Sequence, residues 1–235
     1  MNLDSLLISR DAGLLGLLRP TLEKMSVNVE VCAESRRALD LLAKRKFDAV
    51  IIDCDDMQNG VAVLRDVRST QSNSKSVAFA VLNGKTTTQE AFQHGANFVL
   101  QKPLTPIHAT RCFNAALNFM VRERRRYFRY PVEIPVRVTV GQNPELTATS
   151  TNLSEGGIAI RTTARLLKDK EAALRFTLPA SSISLELKGQ IAWNDGTGQV
   201  GIRFVQVPQS SQYQLEKWLT DRMQDELSHP LESLP

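Results

Sequence analysis

The densest group of charged side chains in the sequence is a run of arginines that begins shortly after the midpoint of the chain. Its members are Arg122, Arg124, Arg125, Arg126 and Arg129, in the text Arg-Glu-Arg-Arg-Arg-Tyr-Phe-Arg. Guanidinium groups bind phosphate oxygens, and the acceptor edge of guanine, through paired and planar hydrogen bonds. The run therefore predicts a site that binds phosphate or guanine.

A second polar motif follows, in the text Asn-Leu-Ser-Glu-Gly-Gly from Asn152 to Gly157. Asn and Ser side chains offer short, directed hydrogen-bond donors and acceptors. Glycines allow positive φ angles and a close approach of the backbone to a ligand. Together with the arginines, this turn suits a ligand that is both anionic and a purine. Each stretch alone is a weak signal, whereas the two in this order are specific.

In this chain the two motifs read Arg125-x-x-x-Arg129 and, further on, Asn152-x-Ser154-x-x-Gly157. Together they resemble the signature of the PilZ domain family. Members of that family are small β-barrels that bind the bacterial second messenger cyclic di-GMP. The texts Gly-Gln-Ile-Ala-Trp at 189–193 and Gly-Gln-Val-Gly-Ile-Arg-Phe at 198–204 are similar to the closing strands of that barrel. The resemblance covers about residues 122–219 and implies a non-enzymatic signalling effector.

The resemblance also implies which side chains hold the ligand. The expected cyclic di-GMP contacts are Arg124, Arg125, Arg129, Asn152, Ser154 and Gly157. The paired arginines are expected to hold guanine edges and phosphates, and the arginine before them to add a stacking or phosphate contact. The asparagine and the serine are expected to hydrogen-bond guanine, and the glycine to keep the turn open. We expect no catalytic residue, no metal and no cofactor besides this ligand.

In the first half of the chain, five short apolar strands alternate with five helical segments, which predicts a parallel, doubly wound sheet with helices on both faces. Asp53 ends the third strand, and Lys102-Pro103 follows the fifth. This arrangement resembles the receiver domain of two-component signalling over about residues 4–121. In that family an aspartate accepts a phosphoryl group, a lysine contacts the phosphate and an acidic pair holds magnesium. The resemblance thus implies a phosphoacceptor pocket at Asp53 and Lys102.

The sequence departs from the receiver pattern where the acidic pair is expected. Ser9 and Arg10 stand there, and only Asp11 follows. Magnesium requires hard carboxylate oxygens, and phosphoryl transfer without the metal loses the main neutraliser of developing charge. We therefore expect a degenerate receiver with a vestigial pocket, in which Arg10 pairs with Asp53 or Asp11. The alternative stays open that the protein is a phosphorylation-responsive regulator with Asp53 as phosphoacceptor, since Asp55 and Asp56 offer further carboxylates.

From Pro131 onwards the apolar residues alternate with period two, which predicts an antiparallel β-barrel. Six strands are predicted, followed by a closing helix at Ser210–Leu227. The predicted strands are Val132–Val138, Leu146–Thr151, Gly157–Arg161, Ala172–Leu178, Ser184–Trp193 and Gln199–Phe204. We expect the receiver-like domain to span residues 1–121 and the PilZ-like domain to span residues 122–235.

Composition narrows the class of protein. The chain has 235 residues, 42% of them hydrophobic, and a net charge of +4. That charge is too mild, outside the arginine run, to indicate general nucleic-acid binding. No apolar run approaches the roughly 20 residues that span a membrane, and the first residues lack a signal-peptide pattern, so a cytoplasmic location is expected. Cys32, Cys54 and Cys112 are far apart and are expected to be free thiols.

The predicted domains suggest how a signal is relayed. A helix from Pro106 continues into the arginine run with no Gly or Pro until Pro131. We expect cyclic di-GMP to order this hinge and so to reset the angle between the two domains. The receiver-like domain is expected to serve for docking to a protein partner or for self-association. A nucleic-acid binder that uses the arginines is the weakest alternative, since it leaves the Asn-x-Ser turn without a role.

Overall fold

The central strands of the first half, at residues 49–53 and 77–82, are buried on both faces, as expected for a sheet covered on two sides. The computed structural model describes residues 3–228, and the chain divides into two units between Arg124 and Arg125. The first unit has a parallel sheet with strand order β2-β1-β3-β4-β5. In chain order its elements are β1 (Leu3–Ile8), α1 (Ala12–Glu23), β2 (Val27–Cys32), α2 (Ser35–Lys44), β3 (Ala49–Asp53), α3 (Gly60–Ser69), β4 (Val77–Leu82), α4 (Thr88–Gln93), β5 (Phe98–Gln101) and α5 (Pro106–Tyr127).

The alternation of side chains along each strand divides the core of the first unit into two layers. In β3, Val50 and Ile52 pack with residues of α2, α3 and α4, whereas Ala49 and Ile51 pack with residues of α1 and α5. All four side chains are fully buried. The predicted doubly wound sheet is therefore confirmed. Its topology brings the ends of β3 and β5 to one edge, because parallel strands end on the same side of the sheet.

The second unit is an antiparallel barrel, as the period-two pattern predicted. Its elements are β6 (Tyr130–Pro131), β7 (Pro135–Val140), β8 (Leu146–Ser154), β9 (Gly157–Arg161), β10 (Glu171–Thr177), β11 (Ser184–Asn194), β12 (Gln199–Gln206) and α6 (Gln209–Ser228). Six strands close in the order β8-β7-β10-β11-β12-β9, since β9 pairs with both β12 and β8. The short strand β6 adds to β8.

The prediction that the first barrel strand begins at Val132 was wrong, because the regular ladder begins at Pro135. In β8 the pairing shifts between Ser150 and Asn152. There the hydroxyl of Ser150 accepts from Ile134 N (3.0 Å) and donates to Val132 O. The hydroxyl of Ser150 thus takes the place of ladder hydrogen bonds for the segment that enters the barrel. The shift in pairing is a β-bulge, a feature that bends a strand.

The helix α6 packs on the barrel through one apolar face, as its spacing predicted. Leu215, Trp218 and Leu219 are buried in the barrel's core cluster. The indole Nε1 of Trp218 donates to Pro179 O at 3.1 Å, and its ring meets Tyr130 edge to face. Over residues 3–228 no helix is both long and apolar enough to span a bilayer.

Candidate ligand-binding site

A cavity of about 510 Å³ lies against the turn between β8 and β9. Its walls include four of the residues that the sequence motifs singled out, namely Arg129, Asn152, Ser154 and Gly157. These side chains come from the segment after α5 and from the two strands that flank the turn, so the closed barrel brings the two motifs together. We refer to this space as the motif cavity.

A larger groove of about 820 Å³ lies elsewhere, across the strands β7, β10, β11 and β12. Charged side chains of opposite sign pair along it, with Arg175 Nε 2.8 Å from Glu186 Oε1 and Arg137 Nη1 3.7 Å from Glu145 Oε1. The groove contains none of the motif residues. The motif cavity is therefore the better candidate for an anionic ligand.

The serine of the turn has a defined hydrogen-bond state. Ser154 is almost fully buried, and its Oγ donates to Gly157 O at 2.9 Å. Since a hydroxyl has one proton and two acceptor lone pairs, the hydroxyl of Ser154 can only accept from a ligand while this bond holds. It therefore suits the N–H donors of a guanine rather than its O6 acceptor.

The glycine at the end of the turn is required by a close contact with the backbone of a neighbouring strand. Gly157 does not have a positive φ angle. A Cβ atom built on it would lie 2.5 Å from Ile202 O, on the neighbouring strand β12. Gly157 therefore allows β9 and β12 to approach each other, and a side chain there would force the backbone of the cavity wall apart.

The motif cavity also contains residues that the sequence did not assign to the site. Trp193 lines it and is 44% exposed, which is unusual for so large an apolar ring. Its indole lies over Gly201 of the neighbouring strand, where a Cβ atom would meet Nε1 at 2.1 Å. Arg203 lines the same wall, and its Nη2 donates to Gln190 Oε1 at 2.8 Å. An exposed aromatic ring and a second guanidinium thus join the site.

The three predicted arginines occupy three different environments. Arg129 lines the cavity, and its Nη1 donates to Arg126 O (3.0 Å) and Phe128 O (3.1 Å) at the end of α5. Arg125 does not line the cavity, and its Nε is buried with no hydrogen-bond partner among the described residues. Of the three, only Arg129 is therefore placed at the cavity in the free protein.

Arg124 lies with acidic residues of the first unit. Its Nη1 is 2.8 Å from Asp4 Oδ2 and 3.6 Å from Asp48 Oδ2. Burial raises the pKa of Asp48 to about 6, although the backbone N–H of Asp4 and the charge of Arg124 oppose the shift. The structure thus does not bring Arg124 to the motif cavity. In the free protein its guanidinium stabilises a buried carboxylate.

In the first unit the sheet edge brings Asp53 and Lys102 together, as their positions after β3 and β5 predicted. Lys102 Nζ lies 3.1 Å from Asp53 Oδ1, 3.0 Å from Asp11 Oδ2 and 2.7 Å from Asp56 Oδ2. The hydroxyl of Ser9 donates to Asp53 Oδ2 at 2.7 Å. One ammonium group is therefore surrounded by three carboxylates, and we call this arrangement the receiver pocket.

The charges of the receiver pocket favour a permanently protonated lysine. Burial by itself lowers the pKa of Lys102, but hydrogen bonds to Asp56, Asp11 and Asp53 outweigh it and raise the pKa above its ordinary value. The carboxylate of Asp11 accepts from the backbone N–H groups of Leu14 and Gly13 at the start of α1. These bonds and Lys102 lower its pKa. The pocket therefore contains a fixed positive charge.

The prediction that Arg10 pairs with Asp53 or Asp11 was wrong. Its Nε donates instead to Ala33 O at 2.7 Å, on the exposed surface. Of the two further carboxylates, only Asp56 joins the pocket, because Asp55 accepts from the backbone of the loop after β4, including Asn83 N at 2.7 Å. Ligand oxygens of Asp11, Asp53 and Asp56 lie within 4.8 Å of one another.

Two protein-family models match the chain. Residues 123–221 match the model described as PilZ domain, and residues 6–111 match the model described as response regulator receiver domain. The chain thus contains a receiver-like domain followed by a PilZ domain, as the sequence motifs indicated. This pairing is that of a bacterial signalling protein. No curated protein sequence matches the chain.

Solved structures resemble the separate domains. The receiver domain of a sensor histidine kinase from Pseudomonas aeruginosa is 17% identical over 52% of this chain and 99% of that chain, with a TM-score of 0.44. A chemotaxis response regulator of Vibrio cholerae is 21% identical over 49% and 98%, with a TM-score of 0.46. The inhibitor of motility of Bacillus subtilis is 18% identical over 44% and 53%, with a TM-score of 0.39.

Proposed function

We propose that the protein is a non-enzymatic effector that binds cyclic di-GMP in the motif cavity and relays binding to its receiver-like domain. The observation that supports this most is that one cavity is lined by Arg129 together with Asn152, Ser154 and Gly157. A guanidinium, a carboxamide and a buried hydroxyl match the phosphate and the guanine edges of that ligand. Both kinds of domain typically serve signalling rather than catalysis.

Each group in the cavity has a role in this proposal. Arg129 binds a phosphate or the O6/N7 edge of guanine, and Arg125 joins it when the ligand is bound. Asn152 can donate and accept through its carboxamide, whereas Ser154 accepts through its oxygen. Trp193 offers an exposed ring on which a base can stack, which contributes about 1–3 kcal/mol per base in nucleic-acid complexes. The motif cavity thus offers both polar groups and an aromatic ring to this ligand.

Calorimetric titration of the full chain with cyclic di-GMP tests the proposal. The expected result is saturable binding at micromolar ligand. Cyclic di-AMP is expected to bind far more weakly, because adenine has an amino donor where guanine has the O6 acceptor. If cyclic di-GMP gives no heat up to high micromolar concentration, the proposed function is wrong.

Trp193 provides an optical prediction for the same site. Stacking of a guanine on its ring is expected to quench tryptophan emission when cyclic di-GMP is added. The chain has two tryptophans, and the other, Trp218, is only 7% exposed and does not line the cavity. The variant Trp193→Phe, which keeps a ring for stacking, is therefore expected to bind with little quenching. Unchanged quenching in that variant would show that the base does not meet this ring.

The relay is proposed to run through α5, which continues from the receiver-like domain past the division between the units to Tyr127. A continuous helix can transmit a change at its end, whereas a Gly/Ser linker cannot. Cyclic di-GMP is expected to increase hydrogen-exchange protection of the last helical turns, residues 117–125. The ligand must favour one hinge arrangement for this to occur. Protection confined to residues beyond Arg129 would mean that the first domain is merely tethered.

The alternative function, phosphorylation of Asp53, is disfavoured by the contacts of its carboxylate. Ser9 and Lys102 already contact its two oxygens, and the acidic pair of the receiver pattern is replaced by Ser9 and Arg10. Incubation with acetyl phosphate and Mg²⁺ is therefore expected to leave the intact mass of the protein unchanged. A stoichiometric phosphoryl adduct that is absent from Asp53→Asn would favour the alternative.

A further inference from the structure

Arg203 lines the motif cavity, although neither signature motif includes it. It lies on β12 directly opposite Gly157 of β9, and Gly157 lies directly opposite Ser154 of β8. The segment that carries Arg129 leads into β6, which pairs with β8. The strand order therefore places Arg129 on one side of the turn between β8 and β9, and Arg203 on the other.

The side chain of Arg203 is on the outer face of the barrel. Its neighbour along the strand, Ile202, is buried in the barrel's core cluster, and so is Ile158 beside Gly157. Successive side chains of a strand alternate between its two faces, so Arg203 and Gly157 share the face that does not meet the core. A Cβ atom on Gly157 would lie 3.4 Å from the Cα atom of Arg203. Because Gly157 has no side chain, β9 leaves the space beside Arg203 open to a ligand.

The lining of the motif cavity is positively charged. Among the described residues that line it, Arg129 and Arg203 are the charged ones, and no carboxylate is present. The larger groove differs, since its arginines pair with glutamates. Cyclic di-GMP has two phosphodiester groups and therefore two negative charges. The charge of the ligand thus matches that of the cavity lining.

The partner of Arg203 in the free protein is neutral. Its Nη2 donates to Gln190 Oε1 at 2.8 Å, and Gln190 Nε2 donates to Asp169 O at 3.2 Å. These two bonds orient the carboxamide of Gln190 with its oxygen towards the guanidinium. No carboxylate pairs with Arg203 in the described part of the chain. A guanidinium has five N–H donors, so donors remain for an anion and no ion pair has to break before it binds.

We propose that Arg203 binds one phosphate of cyclic di-GMP while Arg129 binds the other, and that Gln190 positions Arg203 for this contact. This inference rests on the proposed function and adds a binding residue on β12 to the same site. Guanidinium and phosphate form paired, planar hydrogen bonds, which the charges on both groups make stronger than neutral ones. The two guanidiniums reach the ligand from opposite sides of the turn, so one ligand with two phosphates contacts both.

Calorimetric titration of the full chain with cyclic di-GMP tests the role of Arg203. The variant Arg203→Ala is expected to weaken binding by roughly 10- to 100-fold, as expected for charge-assisted hydrogen bonds to one phosphate. The variant Arg203→Lys keeps the charge but loses the planar pair of donors. Its affinity is therefore expected to lie between those of the wild type and Arg203→Ala.

Arg161→Ala is the matched control. Arg161 is another exposed arginine of the barrel, on β9, and it does not line the motif cavity. This variant removes the same charge and is expected to bind cyclic di-GMP like the wild type. A wild-type titration with no heat would refute the proposed function as a whole. If the wild type binds and Arg203→Ala weakens binding no more than Arg161→Ala, this inference is wrong and the proposed function stands.

A linear ligand assigns the contact to a phosphate. The dinucleotide GpG has the two guanines of cyclic di-GMP but a single phosphodiester, so it can satisfy only one of the two arginines at a time. GpG is expected to bind the wild type at least about tenfold more weakly than cyclic di-GMP. Arg203→Ala is expected to weaken GpG binding by a smaller factor than it weakens cyclic di-GMP binding. Equal factors for the two ligands, or equal wild-type affinities, would overturn the assignment of Arg203 to a phosphate.

The positioning role of Gln190 has a separate test. Gln190→Met keeps a side chain of similar length but removes the carboxamide that orients Arg203. It is expected to weaken the binding of cyclic di-GMP by a smaller factor than Arg203→Ala does, and to have no effect when Arg203→Ala is already present. An equal effect in both backgrounds would show that Gln190 does not act through Arg203.

Discussion

Replacing Arg129 by alanine is expected to weaken the binding of cyclic di-GMP by roughly 10- to 100-fold. A hydrogen bond to a charged group contributes about 1.5–3 kcal/mol, and a guanidinium can form two with a phosphate or a guanine edge. Arg129 is the predicted arginine that already lines the motif cavity. Arg125→Ala is expected to weaken binding by a similar factor, since Arg125 is proposed to join the site when the ligand is bound. Calorimetric titration of each variant measures the loss.

Two other arginines serve as matched controls for this experiment. Arg137→Ala removes the same charge from the larger groove across β7, β10, β11 and β12, and its expected effect on affinity is small. Arg124→Ala removes the partner of Asp4 and Asp48, so it is expected to lower the stability of the receiver-like domain rather than affinity. Equal losses in all the variants would mean that binding depends on net charge alone, and strong salt dependence would accompany it.

Much of the receiver-like domain follows from the sequence because its signals are local. Buried strands of apolar residues and amphipathic helices fix a parallel sheet, and the sheet places the residues after β3 and β5 at one edge. The proximity of Asp53 and Lys102 is therefore predictable. The choice between Arg10 and Lys102 as the partner of Asp53 is not, since it depends on side-chain directions that no periodicity describes.

The barrel shows the limit of local patterns more clearly. The turn from Asn152 to Gly157 is recognisable in the sequence, but the need for Gly157 arises from β12, which meets β9 only after the barrel closes. The contact of Trp193 with Gly201 likewise joins two strands. Ser150 replaces ladder bonds from within a strand pattern that looks regular. Each of these features is a contact between different segments of the barrel, and therefore has no signal in the pattern of a single strand.

Replacing Lys102 by alanine is expected to destabilise the receiver-like domain by about 3 kcal/mol, the lower end of the cost of removing one partner from a buried ion pair. The variant would leave three carboxylates close together, and that of Asp53 is only 1% exposed. The exposure of Asp11 and Asp56, at 42% and 36%, allows solvent to screen part of the repulsion. Urea unfolding followed by far-ultraviolet circular dichroism measures the change.

The same variant is expected to become sensitive to divalent cations. Without the ammonium, oxygens of Asp11, Asp53 and Asp56 within 4.8 Å of one another form a set of hard ligands that Mg²⁺ or Ca²⁺ can bind. A cation that binds only the folded state stabilises it in proportion to the logarithm of its concentration. Millimolar Mg²⁺ is therefore expected to recover part of the lost stability of Lys102→Ala, and to change the wild type little.

Lys85→Ala is the matched control, because Lys85 also faces Asp56. Its Nζ lies 3.7 Å from Asp56 Oδ1, but its side chain is 68% exposed. Exposed pairs of this kind contribute about 0–1 kcal/mol, so Lys85→Ala is expected to resemble the wild type with and without Mg²⁺. Sodium chloride at matched ionic strength separates cation binding from screening. If Mg²⁺ stabilises the wild type as much as Lys102→Ala, then Lys102 does not exclude the cation from the three carboxylates, and its contact with Asp53 no longer disfavours phosphorylation there.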